Sequence, residues 1–416
     1  MRTTRAFLVS TVVVLALTAC SPDAAPQPSS GSVEGSPQPS ASTSIGASEG
    51  AAASVPPLAW ERVLTLGAES PANGSEAARE VVHGTAGFLA MTESYLFGEG
   101  GPQLTQRRLW LSADGRAWEE VGFPVAIDEG SPMAMTATAD GDFVLLFSIF
   151  LTNGLASRTE AMRSADGRSW EPFDTGLPDN LGIQAVDHGA QGWVLVGSRF
   201  GGEVEDPGAW YSSDGVTWEL VAELSEPNRW VRVMDAAAGD EGFVIVGTSA
   251  SLEGLPGHEW FALASADGRE WVPSRGLFEP SGENFQPDPH VVALGSGWVA
   301  VLPSQDESVQ FWASDDGLAW ARSGLIADAR PPEAYEYDPV LQEVGGRLYF
   351  SFAGGGGFAS TFGAWSSADG VSWEPLDLGA DVRLGGVAVG SGTLVLTGTE
   401  RTPQGSLAGI WARGSD

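Results

Sequence analysis

The sequence predicts an all-β chain: a closed ring of seven four-stranded antiparallel blades, a β-propeller. Two observations carry this. The pattern Ser-x-Asp-Gly-x-x-Trp occurs six times, with its aspartates at positions 114, 166, 214, 267, 316 and 369, so that successive copies stand 48 to 53 residues apart. A near-constant period of this size marks a repeat architecture. In addition, seven apolar runs follow Gly-rich turns and open on Phe88, Phe143, Trp193, Phe243, Trp298, Leu348 and Leu394. Runs such as Phe243-Val244-Ile245-Val246-Gly247 suit buried strands, and helical periodicity is almost absent.

Taken in order, residues 1 to 20 carry Arg2 and Arg5, an apolar run from Ala6 to Leu17, and then Thr18-Ala19-Cys20. A basic start before a run too short to span a bilayer reads as an export signal. Its ending resembles the bacterial lipobox, which implies that Cys20 becomes the lipid-bearing first residue of the mature chain. Cys20 is the only cysteine, so no internal disulfide is expected. Residues 21 to 57 are Ser, Ala, Pro and Gly with a few acids, and lack the apolar residues needed to offset the entropy of ordering. They predict a disordered tether holding the folded part roughly 35 Å from the membrane.

Residues 58 to 416 form the propeller, and each copy of the pattern supplies a hairpin joining the third and fourth strands of a blade. The copies are Ser112, Asp114, Gly115, Trp118; Ser164, Asp166, Gly167, Trp170; and Ser212, Asp214, Gly215, Trp218. They continue with Ser265, Asp267, Gly268, Trp271; Ser314, Asp316, Gly317, Trp320; and Ser367, Asp369, Gly370, Trp373. Ser and Asp two residues apart can accept the turn's backbone N–H groups, and Gly takes the positive-φ position. Four residues before each Asp stands Trp110, Met162, Trp210, Leu263, Trp312 or Trp365. Full burial of one Trp would stabilise the unit by about 4 to 6 kcal/mol as an upper bound.

Second strands number seven but hairpins six. The seventh unit runs from Val382 to Ile410-Trp411-Ala412-Arg413 and ends where its hairpin should turn. Leu58-Ala59-Trp60-Glu61-Arg62-Val63 reads like the strand after a hairpin, as in Trp218-Glu219-Leu220-Val221. Pairing it with the C-terminal strand would close the ring and leave no open edge there.

The hairpin resembles the Asp-box, or BNR repeat, of sialidases, sortilin-type receptors and other β-propellers, with one residue fewer between Asp and Gly than the usual form. The resemblance implies that the boxes are structural and lie on the face opposite the ligand site. A sialidase-type enzyme would need three arginines on a carboxylate, a Tyr paired with a Glu as nucleophile, and a separate acid. Candidates for those roles are Tyr335, Glu336, Tyr337, Arg232, Arg330 and Arg383; Arg232 and Arg383 occupy matching places in first strands facing the channel. The family's Arg-Ile-Pro segment is missing near the domain start, seven blades are predicted rather than six, and a Tyr next to a Glu on one strand points to the other face. The expectation is therefore a non-enzymatic recognition or scaffold module for a protein or glycan partner, anchored outside the cytoplasm. The alternatives are a sialidase-like exo-glycoside hydrolase and a cation-binding envelope protein.

There are 54 acidic residues against 21 basic ones, every basic residue is Arg, and the net charge is −33. Such a surface repels nucleic acid and anionic headgroups. The clusters Glu203-Val204-Glu205-Asp206 and Asp306-Glu307 lack EF-hand spacing, and His83, His188, His258 and His290 fall in different units without ligand spacing. No metal and no cofactor is expected. The insert from Glu93 to Gln106 and the run Gly354 to Gly357 are read as mobile loop surface.

Overall fold

The computed structural model describes residues 59–67, 74–98, 101–125, 130–150, 157–200, 206–251, 258–275, 289–303, 309–326, 337–354, 361–379, 381–402 and 405–415. The chain divides into two units, Met1–Pro56 and Pro57–Asp416, and the described residues all fall in the second. The signal (1–20), Cys20 and the tether (21–57) lie outside them.

The described residues form seven four-stranded antiparallel sheets. Blade 7 is closed by the first strand, β1 (Glu61–Leu66). Blade 1 is β2 (Gly74–Gly84), β3 (Gly87–Gly98), β4 (Gly101–Ser112) and β5 (Glu119–Val121). Blade 2 is β6 (Gly130–Ala137), β7 (Phe143–Phe150), β8 (Ser157–Ser164) and β9 (Glu171–Phe173). Blade 3 is β10 (Leu181–Gly189), β11 (Gly192–Arg199), β12 (Asp206–Ser212) and β13 (Glu219–Glu223). Blade 4 is β14 (Arg229–Gly239), β15 (Gly242–Ser251), β16 (His258–Ser265) and β17 (Val272–Arg275). Blade 5 is β18 (His290–Leu294), β19 (Gly297–Pro303), β20 (Val309–Ser314) and β21 (Ala321–Ile326). Blade 6 is β22 (Tyr337–Val344), β23 (Arg347–Gly354), β24 (Thr361–Ser367) and β25 (Glu374–Pro375). Blade 7 adds β26 (Val382–Gly390), β27 (Thr393–Thr402) and β28 (Gly405–Gly414).

The predicted closure is present. β1 pairs antiparallel with β28, Glu61 opposite Ala412 and Arg62 opposite Trp411, and Trp60 packs into the apolar cluster that holds Trp411. The first strands touch in a complete circle, from β2 through β6, β10, β14, β18, β22 and β26 back to β2. No helix among the described residues is long and apolar enough to cross a membrane.

The six turns carry the cap chemistry that the residue types require. Asp114 Oδ1 accepts the N–H of Arg116 at 2.8 Å and of Ala117 at 3.0 Å, and Ser112 Oγ donates to it at 3.2 Å. In three copies the Ser oxygen also accepts the Gly N–H, at 2.9 Å for Gly215, Gly268 and Gly370. All six glycines sit at φ between 69° and 74°. A Cβ on Gly115 would lie 2.5 Å from Val395 Cγ2 in the adjacent blade, so blade packing excludes a larger residue as firmly as backbone conformation does. The tryptophan expectation needs correction: of the six pattern tryptophans only Trp218, at 5% exposure, is buried. The others are half-buried at the blade rims, where Trp118 and Trp320 donate Nε1–H to the carbonyls of Gly115 and Gly317. Each thus contributes less than full burial would. The core proper is made by second strands, with Phe88, Phe143, Phe243 and Phe350 at 0 to 1% exposure.

Adjacent blades are latched near the axis by side chains that accept backbone N–H groups of the next blade. Glu80 accepts from Met135 at 2.8 Å, Asp187 from Ala238 at 2.9 Å, Asp235 from Val291 at 3.0 Å, and Gln342 from Val387 at 2.8 Å. The first strands of blades 1, 2, 3, 4 and 7 each break register at a bulge, and in blade 1 Arg79 and Glu80 fall within it. Bulges free residues from the ladder and redirect their side chains, which is how this pair reaches the channel mouth.

Candidate functional site

Blade 1 shapes the most developed polar site among the described residues. Residues 93–98 and 101–106, expected to be part of a mobile loop, are instead the outer ends of β3 and β4, where Glu93 pairs with Arg107 and Tyr95 with Leu104. Alternation along β3 puts Glu93 and Tyr95 on one face. Tyr95 Oη donates to Glu93 Oε2 at 2.6 Å, and Arg79, aimed by the bulge, donates from Nε to the same oxygen at 2.7 Å and from Nη2 to Tyr95 Oη at 2.8 Å. Arg107 donates from Nε to Glu93 Oε1 at 3.1 Å and from Nη1 to the Gly130 carbonyl of blade 2 at 2.6 Å. Glu93 is 6% exposed, and both of its oxygens are engaged.

These groups line a cavity of about 500 Å³ at the channel mouth. Pro132, Met133 and Ala134 of blade 2, Val340 of blade 6, and Arg383, Leu384 and Gly385 of blade 7 complete its walls. Burial alone would push the Glu93 carboxyl up, but the Arg79 charge and the hydrogen bonds from Tyr95, Arg79 and Arg107 outweigh it and hold Glu93 below the usual carboxylate range. Tyr95 is shifted the other way, up, by burial and by its bond to Glu93. Glu80 is only partly exposed where it meets the cavity, and burial raises it to about 7 against the opposing pull of the Met135 N–H and Arg79. Near neutrality the cavity therefore holds three guanidiniums, one firm carboxylate and one carboxyl that is half neutral. Its charge is positive in a chain whose net charge is −33.

Of the candidates drawn from the sequence, Arg383 lines this cavity. Arg232 occupies the equivalent register in blade 4, opposite Thr248 as Arg383 is opposite Thr399, and is not among the lining residues. Tyr335, Glu336 and Arg330 lie outside the described residues, and Tyr337 is described only as the backbone start of β22. Arg79, Glu80, Glu93, Tyr95 and Arg107 were not among the candidates. The signal for the Glu93 and Tyr95 pair was their spacing of two, which requires a strand rather than the loop that the glycines at 98, 100 and 101 suggested.

His83, His188 and His290 lie in first strands, and His290 Nδ1 is 3.2 Å from Asp235 Oδ2. Among the described residues no group of three or more His, Cys, Asp or Glu could hold a metal ion. Glu203 to Glu205 and Asp306-Glu307 lie outside the described residues, while Asp206 faces Arg199 at 3.9 Å.

No family model matches the chain, and no curated protein matches it. Among solved structures it is similar to a Trypanosoma rangeli sialidase in complex with the inhibitor DANA, at 12% identity and TM-score 0.45 over 82% of this chain and 59% of that one. It is similar also to a prolyl endopeptidase, at 14% identity and TM-score 0.47 over 79% and 45% of the two chains. A mutant of an alpha-L-arabinofuranosidase from Fusarium graminearum gives 13% identity and TM-score 0.40 over 66% and 90%. The chain spans 59% of the sialidase's length, and these likenesses are of fold alone.

Proposed function

We propose that this chain is a non-enzymatic recognition module that holds an anionic, carboxylate-bearing glycan or protein segment at the mouth of blade 1. In this reading the six turns are Asp-boxes serving as scaffold on the opposite face, and a lipid on Cys20 with the tether of 21–57 presents the propeller outside the cell membrane. The observation that carries it is the excess of guanidinium in one cavity of an otherwise acidic chain: Arg79, Arg107 and Arg383 line it together with one firm carboxylate, Glu93. Such a site draws an anion in, where the rest of the acidic surface would repel it.

The test is binding of the full chain to uronate- or sialate-bearing oligosaccharides and to acidic peptides, each against a neutral counterpart. Acidic ligands should bind, and Arg383→Ala should weaken them by about ten-fold, the loss of one charge-assisted contact. Equal binding of neutral counterparts, or an Arg383→Ala variant that binds as well as the parent, would sink the reading.

One observation favours a second reading, a glycoside hydrolase: the 2.6 Å bond from Tyr95 to Glu93, with Glu80 near 7 as a proton donor. There Tyr95 Oη would attack the anomeric carbon, its proton passing to Glu93, while Glu80 protonates the leaving oxygen. The electrostatics run against it, because Glu93 is a weakened base and Tyr95 a weakened acid. Turnover of aryl glycosides that disappears in Tyr95→Phe would decide for the hydrolase.

A further inference from the structure

We propose that Glu80 is the proton-carrying contact of the blade 1 cavity: an anionic ligand is held there together with a proton on the Glu80 carboxyl, which donates its O–H to an oxygen of the ligand's carboxylate. This rests on the recognition reading of that cavity, and adds to it a hydrogen-bond donor and a condition for release.

Three bulges build the cavity. The ladder loses register between Ala78 and Val81 in β2, between Pro132 and Ala134 in β6, and between Leu384 and Gly386 in β26. The residues that they take out of the ladder, Arg79, Glu80, Met133 and Gly385, all line the cavity. In a regular strand Arg79 and Glu80 would point to opposite faces, whereas the bulge brings both to one mouth.

The two then take different partners. Arg79 donates from Nε and Nη2 to Glu93 and Tyr95, and Arg107 donates to Glu93 and to the Gly130 carbonyl. Glu80 Oε2 accepts the Met135 N–H at 2.8 Å. Among the described residues its Oε1 has no hydrogen-bond partner and neither oxygen forms an ion pair, although three guanidiniums line the same cavity. The charged and titratable groups around Glu80 are Arg79 on β2 itself, Glu93 and Tyr95 on β3, Arg107 on β4 and Arg383 on β26. From β6 and β22 the cavity receives only Pro132, Met133, Ala134 and Val340.

An anion drawn to Arg79 and Arg383 thus comes to lie beside a carboxyl with one open oxygen. Ionised, Glu80 sets a like charge against the ligand. Neutral, it supplies an O–H donor, and a carboxylic acid and a carboxylate sharing one proton form a short, strong bond. Burial already raises Glu80 to about 7, and the ligand's negative charge raises it further. Binding therefore takes up a proton, and above about pH 7 each further pH unit weakens it by up to about ten-fold. Glu93 cannot play this part, because both of its oxygens are engaged and, despite its burial, Arg79 and the bonds from Tyr95 and Arg107 keep it ionised.

The test is calorimetric binding of tri-galacturonate to the full chain between about pH 5.5 and about pH 8.5, a range in which the ligand stays ionised. Buffers of differing ionisation enthalpy count the protons. The parent should bind at least about ten-fold tighter at the acid end, and its proton uptake should approach one per ligand at the alkaline end. Glu80→Gln keeps an oxygen for the Met135 N–H and an N–H donor for the ligand. It should bind across the range about as tightly as the parent does at the acid end, with no proton uptake. Asp187→Asn removes a carboxyl that burial also raises but that lies outside the cavity, and should keep the parent's pH slope. A parent whose affinity does not change with pH, or a Glu80→Gln variant that retains the parent's slope, would overturn the role of Glu80 and leave the recognition reading in place. Absence of binding by the parent at both ends would overturn that reading, and this proposal with it. The proton count is made on the parent and depends on no variant.

Discussion

Arg62 and Trp411 face each other across the junction of the two ends of the propeller, the guanidinium 4.9 Å from the indole centroid. Arg413 repeats the contact over Trp60 at 4.8 Å, and Arg62 is also ion-paired to Glu400. Trp411 is 1% exposed, so Trp411→Ala removes a fully buried ring from the strand that closes the circle. The expected cost is about 3 to 5 kcal/mol, read as a fall in Tm by calorimetry. Arg62→Ala should cost about 1 kcal/mol, since the cation is part-exposed. A Trp411→Ala variant that melts with the parent would mean that the β1–β28 junction does not hold the ring.

The turn aspartates should be separable from their charge. Asp214 Oδ1 accepts N–H groups from Val216 at 2.8 Å and Thr217 at 2.9 Å. Asp214→Ala leaves both without that acceptor and should cost about 1 kcal/mol, because water competes for an exposed turn. Asp214→Asn keeps an acceptor and should cost less. Denaturant midpoints of the two variants check the order, and equal midpoints would count against the cap.

How much of this was legible follows from how local each feature is. The turns were readable because Ser, Asp and Gly act within four residues, and the seventh blade was readable because strands and hairpins did not tally until the N-terminal strand was moved to the other end. The blade 1 site was not. Arg79 reaches Glu93 only because a bulge turns it there, and the glycines at 98, 100 and 101 disguised Glu93 and Tyr95 as loop residues. Nor could the latches be read, since Glu80 and Met135 meet only once two blades are packed. Arg383 was found because its place in a first strand was visible by analogy with Arg232, but which cavity it entered depended on the neighbours of blade 7.

Glu93 should prove the structural centre of its cluster. Side chains of Glu93 and Arg107 are 8% and 7% exposed, that of Arg79 40%. Glu93→Gln removes the one ionised acid between two guanidiniums and should destabilise the fold by about 2 to 4 kcal/mol, less than a fully buried pair because Arg79 reaches solvent. Tyr95→Phe keeps that charge balance and should cost about 1 kcal/mol. Chemical unfolding of the two variants would show it; equal losses would mean that the ion pairs add nothing beyond the tyrosine bond.

Stability should peak on the acid side of neutrality, with opposite groups setting the two limbs. Burial raises Glu80 from 4.5 and Asp187 from 3.8, both to about 7, in spite of the backbone N–H groups they accept. Unfolding frees these carboxyls to ionise near 4, so their contribution is fully present below about pH 4 and is lost as pH rises towards 7. Turn aspartates act in reverse: backbone N–H bonds pull Asp166 and Asp369 from 3.8 down to about 2, so their contribution is present above about pH 4 and is lost as pH falls towards 2. Tm should therefore rise by a few degrees, about 3 °C or more, from pH 7.5 to pH 4.5, and fall again below about pH 3. The double variant Glu80→Gln, Asp187→Asn keeps an oxygen for the Met135 and Ala238 N–H groups but cannot ionise, and should flatten the upper limb while leaving the acid limb in place. Scanning calorimetry across the range makes the comparison, and an upper limb as steep in the double variant as in the parent would place its origin in other groups.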